Sequence, residues 1–138
     1  SGRKAERDKI EALEIGADQA FAPGERLPER VDAVMETVGA ATWSHSINSL
    51  KPGGTVVISG ATSGDAPAKA ELTKIFFRQL RVVGSTMGNR SELARLANFI
   101  VNKGITPVID STYALAEARG GFEKMASEDV FGKIVFTM

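Results

Sequence analysis

Apolar positions along the chain fall into two alternating patterns. Arg30-Val-Asp-Ala-Val-Met-Glu-Thr-Val38 is rich in valine and bounded by Gly39, which predicts a buried strand. Thr55-Val-Val-Ile-Ser59, closed by Gly60, predicts a second, and Leu80-Arg-Val-Val-Gly-Ser85 a third. Between them the period changes. Trp43, Ile47 and Leu50 lie at i, i+4 and i+7 on one helical face, and Lys51-Pro52-Gly53-Gly54 predicts a sharp end to that helix. Leu72, Ile75 and Phe76 mark another amphipathic helix.

Upstream, Arg3 to Ile15 suits a surface helix stopped by Gly16, followed by a short apolar strand at Ala20–Ala22 before Pro23-Gly24. Downstream, Asn89 and Glu92 stand three apart before Leu93, Leu96, Ala97 and Ile100. That spacing predicts a reciprocal cap, in which Asn and Glu satisfy two free backbone donors, on a helix ended by Lys103-Gly104. A strand around Val108–Tyr113, a helix from Ala116 to Met125 and a last strand at Lys133–Thr137 complete the pattern.

Strand–helix alternation of this kind predicts an α/β fold with a parallel sheet and right-handed crossovers. Ligands of such sheets bind outside the carboxyl ends of the strands. Those ends are Thr37-Val38-Gly39, Ser59-Gly60-Ala61-Thr62 and Ser85-Thr86-Met87, all small, polar or glycine-rich. Ordinary strand-to-helix turns require the same residues, so spacing alone leaves a ligand site and a plain turn both open.

Composition narrows the class. The chain has 138 residues, room for one ordinary domain, and 17 Lys plus Arg balance 17 Asp plus Glu. That neutrality, with one Trp, one Tyr and no basic stripe, weighs against nucleic acid and membrane surfaces as partners. No apolar run approaches the roughly 20 residues of a membrane span, and the first residues lack a signal-peptide core, so a cytoplasmic location is expected. The chain has no cysteine, hence no disulfide and no thiolate metal ligand. His45, its single histidine, sits in a helical stretch and reads as a packing or surface residue, while Asp18, Asp32 and Glu36 read as turn and strand-flanking residues.

The order and spacing of several stretches add to this reading. Ile15-Gly-Ala-Asp18, Val31-Asp-Ala-Val-Met-Glu-Thr-Val-Gly39, Leu50-Lys-Pro-Gly-Gly-Thr-Val-Val56, Leu80-Arg-Val-Val-Gly-Ser-Thr-Met-Gly88 and Gly132-Lys-Ile-Val135 together resemble the cofactor-binding domain of the medium-chain dehydrogenase/reductase superfamily. That group holds the zinc-type alcohol dehydrogenases and quinone oxidoreductases. The resemblance implies a Rossmann-like parallel sheet that lacks the first strand and the glycine-rich loop, since no Gly-x-Gly-x-x-Gly follows a strand. It also implies a partial dinucleotide-binding domain over 1–104 and, over 105–138, a C-terminal segment that returns to a catalytic domain.

By the same resemblance, Ser1, Arg3 and Lys4 stand at the adenosine ribose. A hydroxyl and two cations there favour a 2′-phosphate, and so NADPH over NADH. Val38 and Gly39 fall beside adenine or its ribose, Gly60, Ala61 and Thr62 with Ser85, Thr86 and Met87 beside nicotinamide, and Lys133 near the cofactor. The implied activity is an NADPH-dependent oxidoreductase of alcohol dehydrogenase or quinone reductase type, acting on a small-molecule carbonyl, alcohol, quinone or enoyl substrate. Zinc would belong to the full-length protein, because this chain offers it no ligands. The alternative is a non-catalytic nucleotide-binding or oligomerisation module of the same fold. An open strand edge further predicts a homodimer.

Overall fold

The computed structural model describes Ile10, residues 12–127 and residues 129–138. The chain divides into two compact units, one formed by Pro23–Met87 and the other by Ser1–Ala22 with Gly88–Met138.

In the Pro23–Met87 unit, β1 (Val31–Glu36), α1 (Trp43–Ser49), β2 (Leu50–Ile58), α2 (Leu72–Phe77) and β3 (Arg81–Gly84) alternate along the chain. The three strands form one sheet in the order β1-β2-β3, parallel throughout. Val34 stands opposite Val56, and Val56 opposite Val82. The core is small: Ile47, Leu50, Val56 and Leu80, flanked by Val31, Val34, Trp43, Ile58 and Ile75. Trp43 and Ile47 of α1 pack in this core, whereas Leu50, expected on the same helical face, instead opens β2.

An arginine closes the lower end of α1. Arg78 donates through Nη1 to the Leu50 carbonyl at 3.0 Å and through Nη2 to that of Ile47, covering carbonyls that the helix leaves without partners. Cations near a helix C-terminus also gain from its dipole.

Three expectations are corrected here. Lys51–Gly54 does not follow α1 as a loop. It belongs to β2, where Gly53 donates to the Arg78 carbonyl at 2.7 Å and a register shift between Val31 and Ala33 absorbs the extra residues. Ala20–Ala22 forms no strand. The strands are also less buried than their valines imply: Met35 is 68% exposed and every residue of β3 is exposed. Side chains alternate across a strand, and within this unit two short helices supply the only helical cover.

The other unit holds α3 (Arg90–Lys103), β4 (Ile109–Ala114), a 3₁₀ turn (Leu115–Glu117), α4 (Ala118–Ala126) and β5 (Lys133–Thr137). The cap expected from the sequence forms on α3. Asn89 Oδ1 accepts from the Glu92 amide at 3.0 Å, and Glu92 Oε2 accepts from the Asn89 amide at 2.7 Å. The helix ends at Gly104. β4 and β5 pair in parallel as a separate two-stranded sheet, with α4 as the crossover. Gly121 of α4 is buried so closely under Phe136 that a Cβ there would stand 2.5 Å from its ring. Phe136 also packs on Phe122, with centroids 5.6 Å apart. Asp110 accepts from the Phe131 amide at 3.0 Å and pairs with Lys124 of α4. Of the helix expected at residues 3–15, the turn at Ala12–Glu14 is described and ends at Gly16, whose amide donates to Leu13.

Candidate cofactor site

At the carboxyl ends of β1 and β2 two loops meet. Their meeting is organised by one carboxylate. Glu36, the last residue of β1, is only 3% exposed. Its Oε1 accepts from the amides of Val38 at 2.8 Å and Gly39 at 3.0 Å and from the Thr42 hydroxyl at 2.8 Å, while Oε2 accepts from Ser46 of α1. Burial pushes its pKa up, but the Ser46 hydroxyl, the Gly39 amide, the Thr42 hydroxyl and the Val38 amide outweigh it and hold the carboxyl below its ordinary 4.5. A carboxylate with this many donors is an acceptor whose lone pairs are filled.

Ser63 joins the second loop to the first. Its amide and its hydroxyl both donate to the Val38 carbonyl, each at 2.7 Å, and its oxygen accepts from the Ala41 amide at 3.0 Å. Ala40 donates to the Gly64 carbonyl at 2.9 Å. Gly39 sits at the closest approach, with φ +91°, where a Cβ would lie 2.5 Å from the Gly64 carbonyl oxygen and 2.8 Å from Ala61 Cα. Only glycine fits a position that combines such a φ with such contacts.

Around this junction lies a recess of about 310 Å³, lined by Glu36, Gly39, Trp43, Ile58, Gly60, Ala61, Asp65 and Pro67 among others. One aromatic plane, two carboxylates and a largely apolar wall define its chemistry. The volume lies at the low end for ligand pockets. A larger cavity of about 490 Å³ is lined by Arg26, Pro28, Arg30, His45 and Asn48. It lies at the amino end of β1, away from the strand ends where α/β sheets bind ligands, so the smaller recess is the better candidate.

The structure brings some of the sequence-derived site residues together and leaves others apart. Gly39, Gly60 and Ala61 line the recess. Val38 supports it from behind through Glu36 and Ser63. Thr62 turns its amide and hydroxyl back to the Thr37 carbonyl, each at 3.5 Å. Ser85 continues the sheet pattern, donating to the Ile58 carbonyl at 2.8 Å, while Thr86 and Met87 are exposed and outside the recess lining. Lys133 opens β5 in the other unit, its amide bonded to the Val108 carbonyl at 2.9 Å. Ser1, Arg3 and Lys4 lie outside the described residues. His45 lines the larger cavity, its Nε2 2.8 Å from the Glu25 carbonyl.

Sequence reading passed over Glu36, Trp43, Ser63 and Asp65 as site residues. Glu36 carried a usable signal: an acid two residues before Val-Gly, with hydroxyls at Thr42 and Ser46 one helical turn apart. Among the described residues no three His, Asp or Glu side chains converge as a metal site, and the chain has no Cys. The described residues do not fit zinc. Among the same residues, no helix is long and apolar enough to cross a membrane.

Comparison with known proteins shows the family and the fold. A family model described as zinc-binding dehydrogenase matches residues 13–136, and the chain belongs to that family. It is 32% identical over 112 residues to the zinc-type alcohol dehydrogenase-like protein YogA of Leptosphaeria maculans, covering 76% of this chain and 30% of that protein. Among solved structures, an NAD-dependent alcohol dehydrogenase superposes with a TM-score of 0.83 at 27% identity, covering all of this chain and 42% of the other. A crotonyl-CoA carboxylase/reductase in complex with NADP gives 0.68 at 26% identity over 78% of this chain and 27% of its own. The chain thus spans less than half the length of the proteins it matches. Its parallel strands are those of the Rossmann-like domain of alcohol dehydrogenases.

Proposed function

We propose that this chain is the cofactor-positioning part of an NADPH-dependent oxidoreductase of the alcohol dehydrogenase or quinone reductase type. The observation that carries the reading is the recess at the carboxyl ends of β1 and β2, where loops 37–42 and 59–65 are bonded to each other and leave a flat, mainly apolar slot beside Trp43. When bound, the dinucleotide supplies a hydride to, or takes one from, a carbonyl, alcohol, quinone or enoyl carbon. The protein's own share is to orient the ring and keep water from it. Gly39, Gly60 and Ala61 let the ligand approach the backbone, with Val38 and Thr62 fixing the loops behind them. Ser85, Thr86 and Met87 contribute to the nicotinamide side of the site.

Related proteins described as NAD-dependent and as an NADP complex support a nicotinamide dinucleotide. The Ser1, Arg3 and Lys4 cluster supports NADPH, since cations and a hydroxyl match a 2′-phosphate. In the intact enzyme residues 105–138 pack on a catalytic domain, the enzyme is a cytoplasmic homodimer, and its substrate is a small molecule. Isothermal titration with NADPH, and with NADH as control, tests the reading. Binding with a preference for NADPH is the expected result; no heat from either would overturn it. Binding of either cofactor that adds no hydride transfer to full-length protein would favour the second reading, a non-catalytic nucleotide-binding module. That reading draws on the lack of a catalytic cluster among the described residues.

A further inference from the structure

The larger cavity, of about 490 Å³, lies at the other end of β1, and its size is within the range of small-molecule sites. Loop 24–30 forms one wall and α1 the other. His45 ties the two together. Its Nε2 stands 2.8 Å from the Glu25 carbonyl, and since a carbonyl only accepts, this nitrogen carries a proton and donates it.

Cations outnumber anions around this space. Arg26 and Arg30 both line it, both are exposed, and among the described residues neither has a hydrogen bond or an ion pair. Glu29 is the single acid of the lining and pairs with neither arginine. A third cation stands near: Arg78 is held below its ordinary pKa first by burial and then by the charge of Arg30. The carboxyl end of α1, whose dipole would oppose an anion, is already covered by Arg78 at the Ile47 and Leu50 carbonyls. At that same end the side-chain amide of Asn48 has no partner among the described residues. Two guanidinium forks and an amide hold more N–H donors than the two oxygens of one carboxylate can occupy. A phosphate has enough oxygens to meet both forks at once. Leu27 and Pro28 add apolar surface to the same wall.

We propose that this cavity is a second ligand site, one that takes a phosphate monoester of a small organic molecule. Arg26 and Arg30 hold the phosphoryl oxygens, Asn48 adds a donor, and the organic part lies against Leu27 and Pro28. Glu29 sets an upper limit on affinity by opposing the bound charge. The site shares no lining residue with the recess at the carboxyl ends of β1 and β2, so it stands independently of the cofactor reading.

His45 is the single histidine of the chain and lines the cavity, so the NMR signal of its ring protons reports occupancy. The 138-residue chain is titrated at fixed pH and ionic strength with phenyl phosphate, inorganic phosphate and succinate. Phenyl phosphate is expected to move the signal to saturation. Inorganic phosphate, which lacks the apolar part, should need a concentration about tenfold higher, and succinate should not saturate. Arg30→Met removes one fork and should weaken phenyl phosphate at least about tenfold. Glu29→Gln removes the opposing charge and should tighten it about threefold. Both positions are exposed, so both variants should fold, and Arg26→Met repeats the arginine test at a second position. A merely structural disturbance would weaken binding in every variant and would not tighten it in one. The proposal is overturned if phenyl phosphate gives no saturable shift, if succinate matches it, or if both arginine variants keep the wild-type affinity. It is likewise overturned if Glu29→Gln fails to tighten binding. Displacement of phenyl phosphate by NADPH would also overturn it, because the cavity would then belong to the dinucleotide.

Discussion

At the scale of single residues, Gly39 is where conformation and contact coincide. Its φ of +91° would strain any L side chain, and an added methyl would stand 2.5 Å from the Gly64 carbonyl oxygen. Gly39→Ala is expected to cost about 2–4 kcal/mol, the sum of a forbidden φ and overpacking, and to widen the recess enough to abolish cofactor binding. Urea unfolding and titration of the same sample check both parts, and a variant as stable as the wild type would refute the tight junction. Sequence alone marked Gly39, Gly60 and Ala61 as candidates because strand ends favour small residues. For Glu36 it offers only the spacing of an acid before Val-Gly with hydroxyls at Thr42 and Ser46, and not the bonds themselves. A glutamate ending a strand reads as solvent-facing, and only folding brings Ser46, ten residues on, to its second oxygen. Ser63 was hidden for the same reason, since its partners Val38 and Ala41 stand more than twenty residues away in the chain.

At the scale of elements, local chemistry was the most legible. The Asn89–Glu92 cap and the Gly104 stop need only neighbours in sequence, and both formed as read. The start of β2 is not legible locally, because Pro52-Gly53-Gly54 resembles a turn until β1 and Arg78 supply partners for an extended chain. The link between β4 and α4 is a further contact that only the fold creates. The ion pair with Lys124 and the Phe131 amide push Asp110 from its ordinary 3.8 down to about 2. A depressed carboxyl contributes stability that is complete above its unfolded value and is lost as pH falls towards the folded one. Stability should therefore fall between pH 3.8 and about 2 as Asp110 takes up its proton. Lys124, whose pKa is raised above 10.5 mainly by Asp110, keeps its share until the pH climbs through that raised value. Lys124→Met is expected to flatten the acid limb, as followed by urea unfolding at stepped pH. An unchanged acid limb would show that the pair adds nothing.

At the scale of the molecule, the parallel sheet of the Pro23–Met87 unit carries an uncovered apolar face. Met35 stands opposite Val57 and Val57 opposite Val83, so the three form one row across the strands. Met35 is 68% and Val83 44% exposed. Among the described residues, β1 pairs on one side alone, with β2. Parallel sheets are normally covered on both faces, and an apolar row next to a free strand edge is a surface that associates. The proposed homodimer draws its driving force from this row. Sedimentation velocity should show a monomer at low concentration giving way to a dimer as concentration rises. Replacing Met35 and Val83 together by lysine should keep the chain monomeric at every concentration. Because both side chains already face water in the monomer, the replacement should leave the unfolding midpoint within about 1 kcal/mol of wild type, as surface substitutions do. A wild type that stays monomeric throughout would show that burial of this row does not repay the entropy of association. A dimer that survives both lysines would place the interface on another surface of the chain.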